Sequence, residues 1–518
     1  MKGWRSMIDT RKRRIAVFLF FLLAFLATLF FSKQDEKQRC MDVRILSEAE
    51  QAELGRFVKK DLSWELLYNG QRAAVDVHSS TVYIAQDIRQ DTKREDLLGS
   101  LQTKSPSLRL SFAPDEAFEN LAAAVEDGHV FRLNVAYGSD KYMQYDVVFT
   151  TLPVLRIEGE FLSKNEKGKD ICQGEMCLWT PNDPDTGRYS VKTSNTLWHV
   201  RGGWSATLDK TPFKVDLKDR SGNNKNLSLL GLGADDDWIL NPMNLDDTKL
   251  KEKLFCRLWN ERAAQVDWNE KMSEGQYMEV VINQQYWGLF QLQRRIDAKF
   301  LDLEAEDIVL KSASNLSAPT VQTAYEIIDS GLLDEEIYGL LEDFFYGKDG
   351  ELLDMDNFLD INAFIQWAAA RDNTKKNMFF LLKQREDGYR MHMVPWDTDM
   401  SWGTVWDDEK GGFTYDFEAS RQDGVLRAEY GWMKQYHPDL DLQMAKRWFQ
   451  LRDNLLTIEN VDAILEGEQF LLDASGALQR DRERWGLFYR GEDSPENLRR
   501  IMEARLDWMD AYYGQYLQ

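Results

Sequence analysis

Four side chains between Arg371 and Gly403, in RDNTKKNMFFLLKQREDGYRMHMVPWDTDMSWG, have the types to share a cation: Asp372, Asn377, Asp397 and Asp399. Carboxylates brought close together repel unless a cation or a shared proton intervenes. Hard oxygen donors suit Mg2+ or Mn2+, which usually take further oxygens from phosphate. That chemistry requires Asp397 and Asp399 to meet residues about twenty positions upstream, so the intervening elements decide the case. Phe358, Ile361, Ile365 and Ala368 recur at steps of three and four, which predicts a buried helix over 357–370. RDNTKKN breaks the period and reads as a loop. MFFLLKQ then reads as a strand, REDG as a turn and YRMHMV as a returning strand. Such a hairpin brings the chain back to where it left the loop.

An Asp, an Asn five residues later and a second Asp beyond a hairpin is also the protein-kinase arrangement. In that reading Asp372 orients a hydroxyl and accepts its proton. Asn377, Asp397 and Asp399 hold the metal, with Asp397 ahead of Asp399 on hairpin geometry. Phosphates also need a lysine on a nearby strand. SNTLWHVRGG and PFKVDLK read as strands of one sheet, with Lys210 before the second and Lys214 within it. The two lysines share parity and could face the same side. Arg201 with Gly202 and Gly203 suits a turn that approaches phosphate closely. LLGLGADDDWIL holds a Gly-x-Gly, but Asp235, Asp236 and Asp237 beside it argue against a phosphate loop.

PWDTDMSWG resembles the P-W-D-x-D-x-S-[FW]-G signature of the CotH kinase family, the spore-coat protein H-like atypical protein kinases. RDNTKKNMFF resembles that family's catalytic loop, and VRGGWSATLDKTPFKVDL its upstream lysine segment. LLGLGADDDWIL, DDTKLKEKL and INQQYWGLFQL follow in the family's order. The resemblance runs from about Leu152 to the C-terminus. It implies a two-lobed, atypical kinase-like domain that binds ATP with Mg2+ or Mn2+ and phosphorylates Ser or Thr of a surface or coat protein. It points to Lys210 at the family's most regular lysine position and Lys214 at its Arg/Lys position. The family usually has an acidic residue where this chain has Arg294. That departure, together with a site outside the cell, supports a rival reading: a non-catalytic, membrane-anchored scaffold that binds an envelope or coat partner.

The net charge is −23 and no long basic cluster occurs beyond the N-terminus, which argues against nucleic acid as a partner. Four cysteines make no disulfide framework. Cys172 and Cys177 flank QGEM, read as a turn, and could pair in an oxidising compartment, whereas Cys256 sits in a helical pattern. The basic tail at 1–14 precedes an uninterrupted apolar run at 15–31. With no small-x-small cleavage site after it, this run reads as a single-pass anchor, N-terminus cytoplasmic and main domains extracytoplasmic.

In chain order the expected organisation is a juxtamembrane segment at 32–63, carrying one short helix. A small β-rich domain follows at 64–151, a sandwich being one arrangement, and a kinase-like domain fills 152–518. The fold class is α+β. PDEAFENLAAAVEDG reads as too short and polar-flanked to carry a core. Asp247 reads as the N-cap of a helix bearing Leu250, Leu254 and Leu258, and YMEVVINQQYWGLFQLQRRI as a hairpin. DDEKGGFTYDFEASRQDG reads as a flexible acidic loop. The C-terminal quarter reads as helices, the last opened by Ser494 and Pro495.

Overall fold

The computed structural model describes residues 43–88, 100–266, 268–312, 320–345 and 350–518. The apolar run at 15–31 and Cys40 lie outside them. Among the described residues no helix is long and apolar enough to cross a membrane. The fold is mixed α+β, as expected.

The first unit is built on a mixed sheet in the order Ala74–Asp76, Thr81–Ala85, Lys141–Thr150, Phe131–Tyr137, Leu108–Phe112. It begins well before Trp64. Ile45 bridges Phe112, Arg56–Phe57 runs parallel to Lys141–Tyr142, and the Tyr145 hydroxyl accepts from the Leu62 N–H at 2.7 Å. A second, three-stranded sheet (Gln71–Arg72, Leu66–Tyr68, Leu101–Thr103) shares its core. The segment read as too short to carry a core contributes Phe118, Leu121 and Val125, all buried. The same core includes Val154, Trp179, Val281 and Tyr286 from the next unit. The Tyr83 and Tyr286 rings stack at 4.3 Å, so the two units are fused rather than linked.

The second unit is a closed seven-stranded barrel: Val154–Lys164, Asp170–Asp183, Arg188–Val200, Phe213–Lys218, Asp237–Asn241, Gln285–Arg294, Gln276–Ile282 and back to the first. Period-two alternation sends Leu155, Ile157, Leu178, Val215, Leu217, Trp238, Leu240, Phe290 and Leu292 inward. The alternate residues face outward, polar ones such as Lys214 and Asp216 beside apolar ones such as Trp179 and Ile239 that pack on neighbouring cores. The hairpin at 276–294 turns on Asn283 and Gln284, whose φ of 49° and 59° match the type I′ geometry that suits strand twist. Cys172 and Cys177 lie on one continuous strand, not across a turn. With roughly 3.3 Å per residue and opposite faces, they are too far apart to bond, and both are free thiols.

A four-stranded sheet follows, in the order Tyr325–Ser330, Ile308–Ser312, Met378–Arg385, Gly388–Pro395. Helices Lys251–Ala263, Met355–Ala368, Leu440–Asn454, Ile458–Ser475 and Pro495–Gly514 share its core. The Lys251 helix is opened by Asp246, which accepts from the N–H groups of Thr248, Lys249 and Lys251. Asp247, the expected cap, instead takes the N–H groups of Phe488 and Tyr489 at 2.7 Å each. The segment expected to be a flexible acidic loop is ordered as a hairpin (Thr404–Asp407, Gly412–Tyr415) and a helix (Phe417–Arg421) capped by Asp416. Ser494 caps the last helix as its Ser-Pro start implies.

The helix Ala477–Trp485 locks the barrel from outside. Asp481 accepts from the Leu289 N–H at 2.9 Å and from the Lys210 ammonium at 2.7 Å, while Arg480 pairs with Glu279. Lys210 also donates to the carbonyls of Pro242 and Leu289. Burial outweighs this company and pulls the Lys210 ammonium down to about 8. Breaking such a buried pair leaves a charge without its counter-charge. Asp481→Ala should therefore cost about 3 kcal/mol of stability in urea unfolding, more than removal of an exposed pair such as Arg499–Asp462.

Candidate functional site

The helix Met355–Ala368 ends where Ala369 adopts a left-handed φ of 50°. The chain then turns through Arg371–Thr374 and enters the strand at Met378, which lies opposite Pro395 in the hairpin. The fold-back is sealed by main-chain and amide contacts. The Trp396 N–H donates to the Asn377 carbonyl at 3.0 Å. Buried Asn373 donates through one Nδ2 to the carbonyls of Asn377 and Trp396, each at 3.0 Å. The Asn377 Nδ2 reaches the Asp397 carbonyl at 3.3 Å, which turns its Oδ1 the other way. Beyond Asp399, the Trp402 N–H bonds the Ala368 carbonyl at 2.8 Å and its ring packs on Trp367 at 5.1 Å. Both ends of the acidic doublet are thus tied to the buried helix.

The structure brings Asn377, Asp397 and Asp399 together and sets Asp372 at their edge, where Lys376 holds it at 2.7 Å. Among the described residues neither Asp397 nor Asp399 accepts a hydrogen bond or forms an ion pair. Burial pushes the Asp397 carboxyl up, helped by Asp372 and opposed by Arg201, Lys311 and Lys376. Asp399 is pushed well above the ordinary carboxylate range by burial, then by Asp397, Glu252 and Asp246, with Lys251 only partly offsetting. Glu252, on the Lys251–Ala263 helix, bonds Asn241 and Gln293 and is pushed to about 7 by burial and Asp397. Three carboxylates with raised pKa values around one point mark a place that favours added positive charge.

No three Asp, Glu, His or Cys side chains among the described residues form a complete metal cage. A Mg2+-type ion does not need one, because it keeps waters and takes substrate phosphate. Two carboxylates without protein partners and an amide oxygen fit that demand.

Next to Asp397, on the far side of Trp396, is a cleft of about 440 Å³ between the barrel's outer wall and the four-stranded sheet, whose Arg201 and Lys311 act on the Asp397 carboxyl. Trp396 and Phe379 line it, with Arg201, Lys214, Arg295, Lys311 and Asp237. The Arg201 guanidinium lies 5.9 Å from the Trp396 ring centre, and the Lys311 ammonium 5.9 Å from the same ring and 5.4 Å from Phe379. Neither makes an ion pair among the described residues. Burial and mutual repulsion lower Lys311, and burial lowers Arg201. Lys214, by contrast, is held by Asp216 at 2.9 Å and Asp237 at 3.1 Å.

The structure separates Lys210 from this cleft. Its ammonium is spent beneath the barrel on Asp481, so shared parity with Lys214 did not bring the two to one face. Lys311 was missed by sequence reasoning; its signal is a lone lysine inside the apolar VLKS strand. Arg294, the departure from the family pattern, bonds Asp235 at 2.7 Å, which Lys299 also holds. Alternation turns Arg294 away from the cleft and gives that place to Arg295. Its positive charge is balanced and does not face the acids.

In comparison with known proteins, a family model described as CotH kinase protein matches residues 198–509, more than half of the chain. No curated protein matches it.

Glu252 gives a pH signature. Its folded value near 7 lies above the ordinary 4.5, so its contribution to stability is full below about 4.5, falls as pH climbs through 7 and then levels off. Without metal or nucleotide, Glu252→Gln should stabilise the fold at pH 8 by at most about 3 kcal/mol, seen as a higher melting temperature. The gain should shrink as pH falls to 5.

Proposed function

The chain belongs to the CotH kinase family, and we propose that it is a two-lobed, metal-dependent phosphotransferase acting from ATP on a Ser or Thr hydroxyl of a protein. The observation that carries this reading is the pull of two cleft cations, Arg201 and Lys311, on Asp397, which stands beside Asp399, none of the four having an ion-pair partner among the described residues. In this reading the barrel forms one lobe and the sheet with its helices the other. Arg201 and Lys311 neutralise the phosphates, and Trp396 gives both cations an aromatic surface to rest on. Lys214, already balanced by Asp216 and Asp237, helps shape the cleft wall.

Asp397 and Asp399, with the Asn377 amide oxygen, would hold Mg2+ or Mn2+. Bound there, the ion supplies the charge that offsets developing negative charge on the transferred phosphoryl group. Asp372 stands beside the acids rather than among them. Lys376 fixes its carboxylate, leaving the second oxygen to orient the acceptor hydroxyl and take its proton. Arg294 has a carboxylate partner of its own in Asp235 and faces away from the cleft, which favours this reading over a non-catalytic scaffold. An anchor at 15–31 would present the acceptor site to surface or coat proteins.

Two substitutions separate the roles. Asp372→Asn should lower phosphate transfer from labelled ATP by about 100-fold or more while keeping the thermal shift produced by ATP and Mn2+. Asp397→Asn should abolish both. Full transfer activity in both variants would refute the assignment.

A further inference from the structure

The outer face of the barrel carries a second cavity, also of about 440 Å³, away from the cleft. At its floor is Arg156, only 2 % exposed, on the strand Val154–Lys164. Its Nη2 donates to Glu175 Oε1 at 2.8 Å. Glu158 Oε1 stands 3.7 Å from Nη1, beyond hydrogen-bond reach, and Glu158 is held instead by Arg72 at 2.6 Å. The Nε and Nη1 groups have no acceptor among the described residues. A buried guanidinium with unspent N–H groups calls for a missing acceptor.

The surroundings favour an anion. Lys218, Arg220 and Lys225 line the cavity in a chain whose net charge is −23. Among the described residues Lys225 reaches only a main-chain carbonyl, that of Thr193, at 2.9 Å, and Lys218 only the Asn224 amide oxygen. Arg220 is exposed. Of the acids, Asp219 is occupied with its own turn, accepting from the N–H groups of Ser221 and Asn223. The Glu175 side chain is 58 % exposed and free to swing away from Arg156.

We propose that this pocket binds an oxyanion of the phosphate class, with Arg156 as the buried anchor and Lys218 and Arg220 as the outer clasp. Planar guanidinium donors and phosphate oxygens match in geometry and charge. The position adds a consequence that rests on the phosphotransfer reading of the cleft. Lys214 and Lys218 lie on the same outward face of one strand, roughly 13 Å apart. An acceptor chain lying along that face could present its hydroxyl at the cleft and a phosphoryl group, already attached a few residues away, at the pocket.

The test is calorimetric titration of the full chain, in low-chloride buffer, with inorganic phosphate, a phosphoserine peptide and its unphosphorylated counterpart. The wild type is compared with Lys218→Ala/Arg220→Ala. Saturable phosphate or phosphopeptide binding that weakens about tenfold or more in the double variant is expected, with no change in the thermal shift given by ATP and Mn2+. Phosphopeptide binding far tighter than phosphate would mean the group arrives on a chain; equal binding would mean free phosphate. No saturable binding, equal binding of the unphosphorylated peptide, or binding untouched by the double substitution would overturn the pocket. The ATP readout reports separately on the cleft, so one reading can fail without the other.

Discussion

Everything the site does depends on a small set of hydrogen bonds that join two strand ends. Asn373, with no exposed surface, spends its amide on the carbonyls of Asn377 and Trp396, and the Trp396 N–H closes the same ring. These contacts are worth only about 1 kcal/mol each in net stability. Their leverage is positional, because they hold Asn377 against the acidic doublet, where mutual repulsion would otherwise drive the chain apart. Asn377 and Asp397 both accept left-handed backbone angles, 54° and 56°, to make the approach. Asn and Asp are among the few side chains that tolerate this conformation.

The barrel supplies the opposite wall through strict alternation. Each strand commits one face to the barrel interior; the outer face packs on neighbouring cores at Val154, Trp179, Val281 and Tyr286 and is left for polar work along Phe213–Lys218. Thus Lys214, Asp216 and Lys218 point outward between Val215 and Leu217, and Arg295 points to the cleft while Arg294 does not. A change of one residue in register would exchange these faces, so the interior fixes the electrostatics of the cleft as firmly as it fixes the fold.

Local signals in the sequence reached far. The Asn283–Gln284 turn, the hairpin between Met378 and Pro395 and the Ser494 cap all follow from residue types within a few positions. The separation of Asp372 from Asn377, and the return to Asp397, were legible for the same reason. What escaped depended on distant partners. Lys210 looks like a surface or cleft lysine until Asp481 arrives, 271 residues later. Lys311 reads as an interruption in an apolar strand until Trp396 and Phe379 come beneath it. Glycine and aspartate in 407–424 suggest mobility, yet Tyr415 packs against Gly403 and Asp416 caps a helix. The glycine in QGEM suggests a turn, but strand pairing on both sides overrides it.

The clamp of the Ala477–Trp485 helix on the barrel has a temporal meaning. The barrel strands end at Arg294, so all of them leave the ribosome long before Asp481 and Arg480 are synthesised. During that interval Lys210 and Glu279 have no counter-charges, and the Leu289 N–H lacks its carboxylate acceptor. The nascent barrel is therefore electrostatically unfinished, able to collapse but not to settle, until nearly the whole chain has been made. A premature stop before Arg480 would leave the early half of the molecule waiting for a part that never comes.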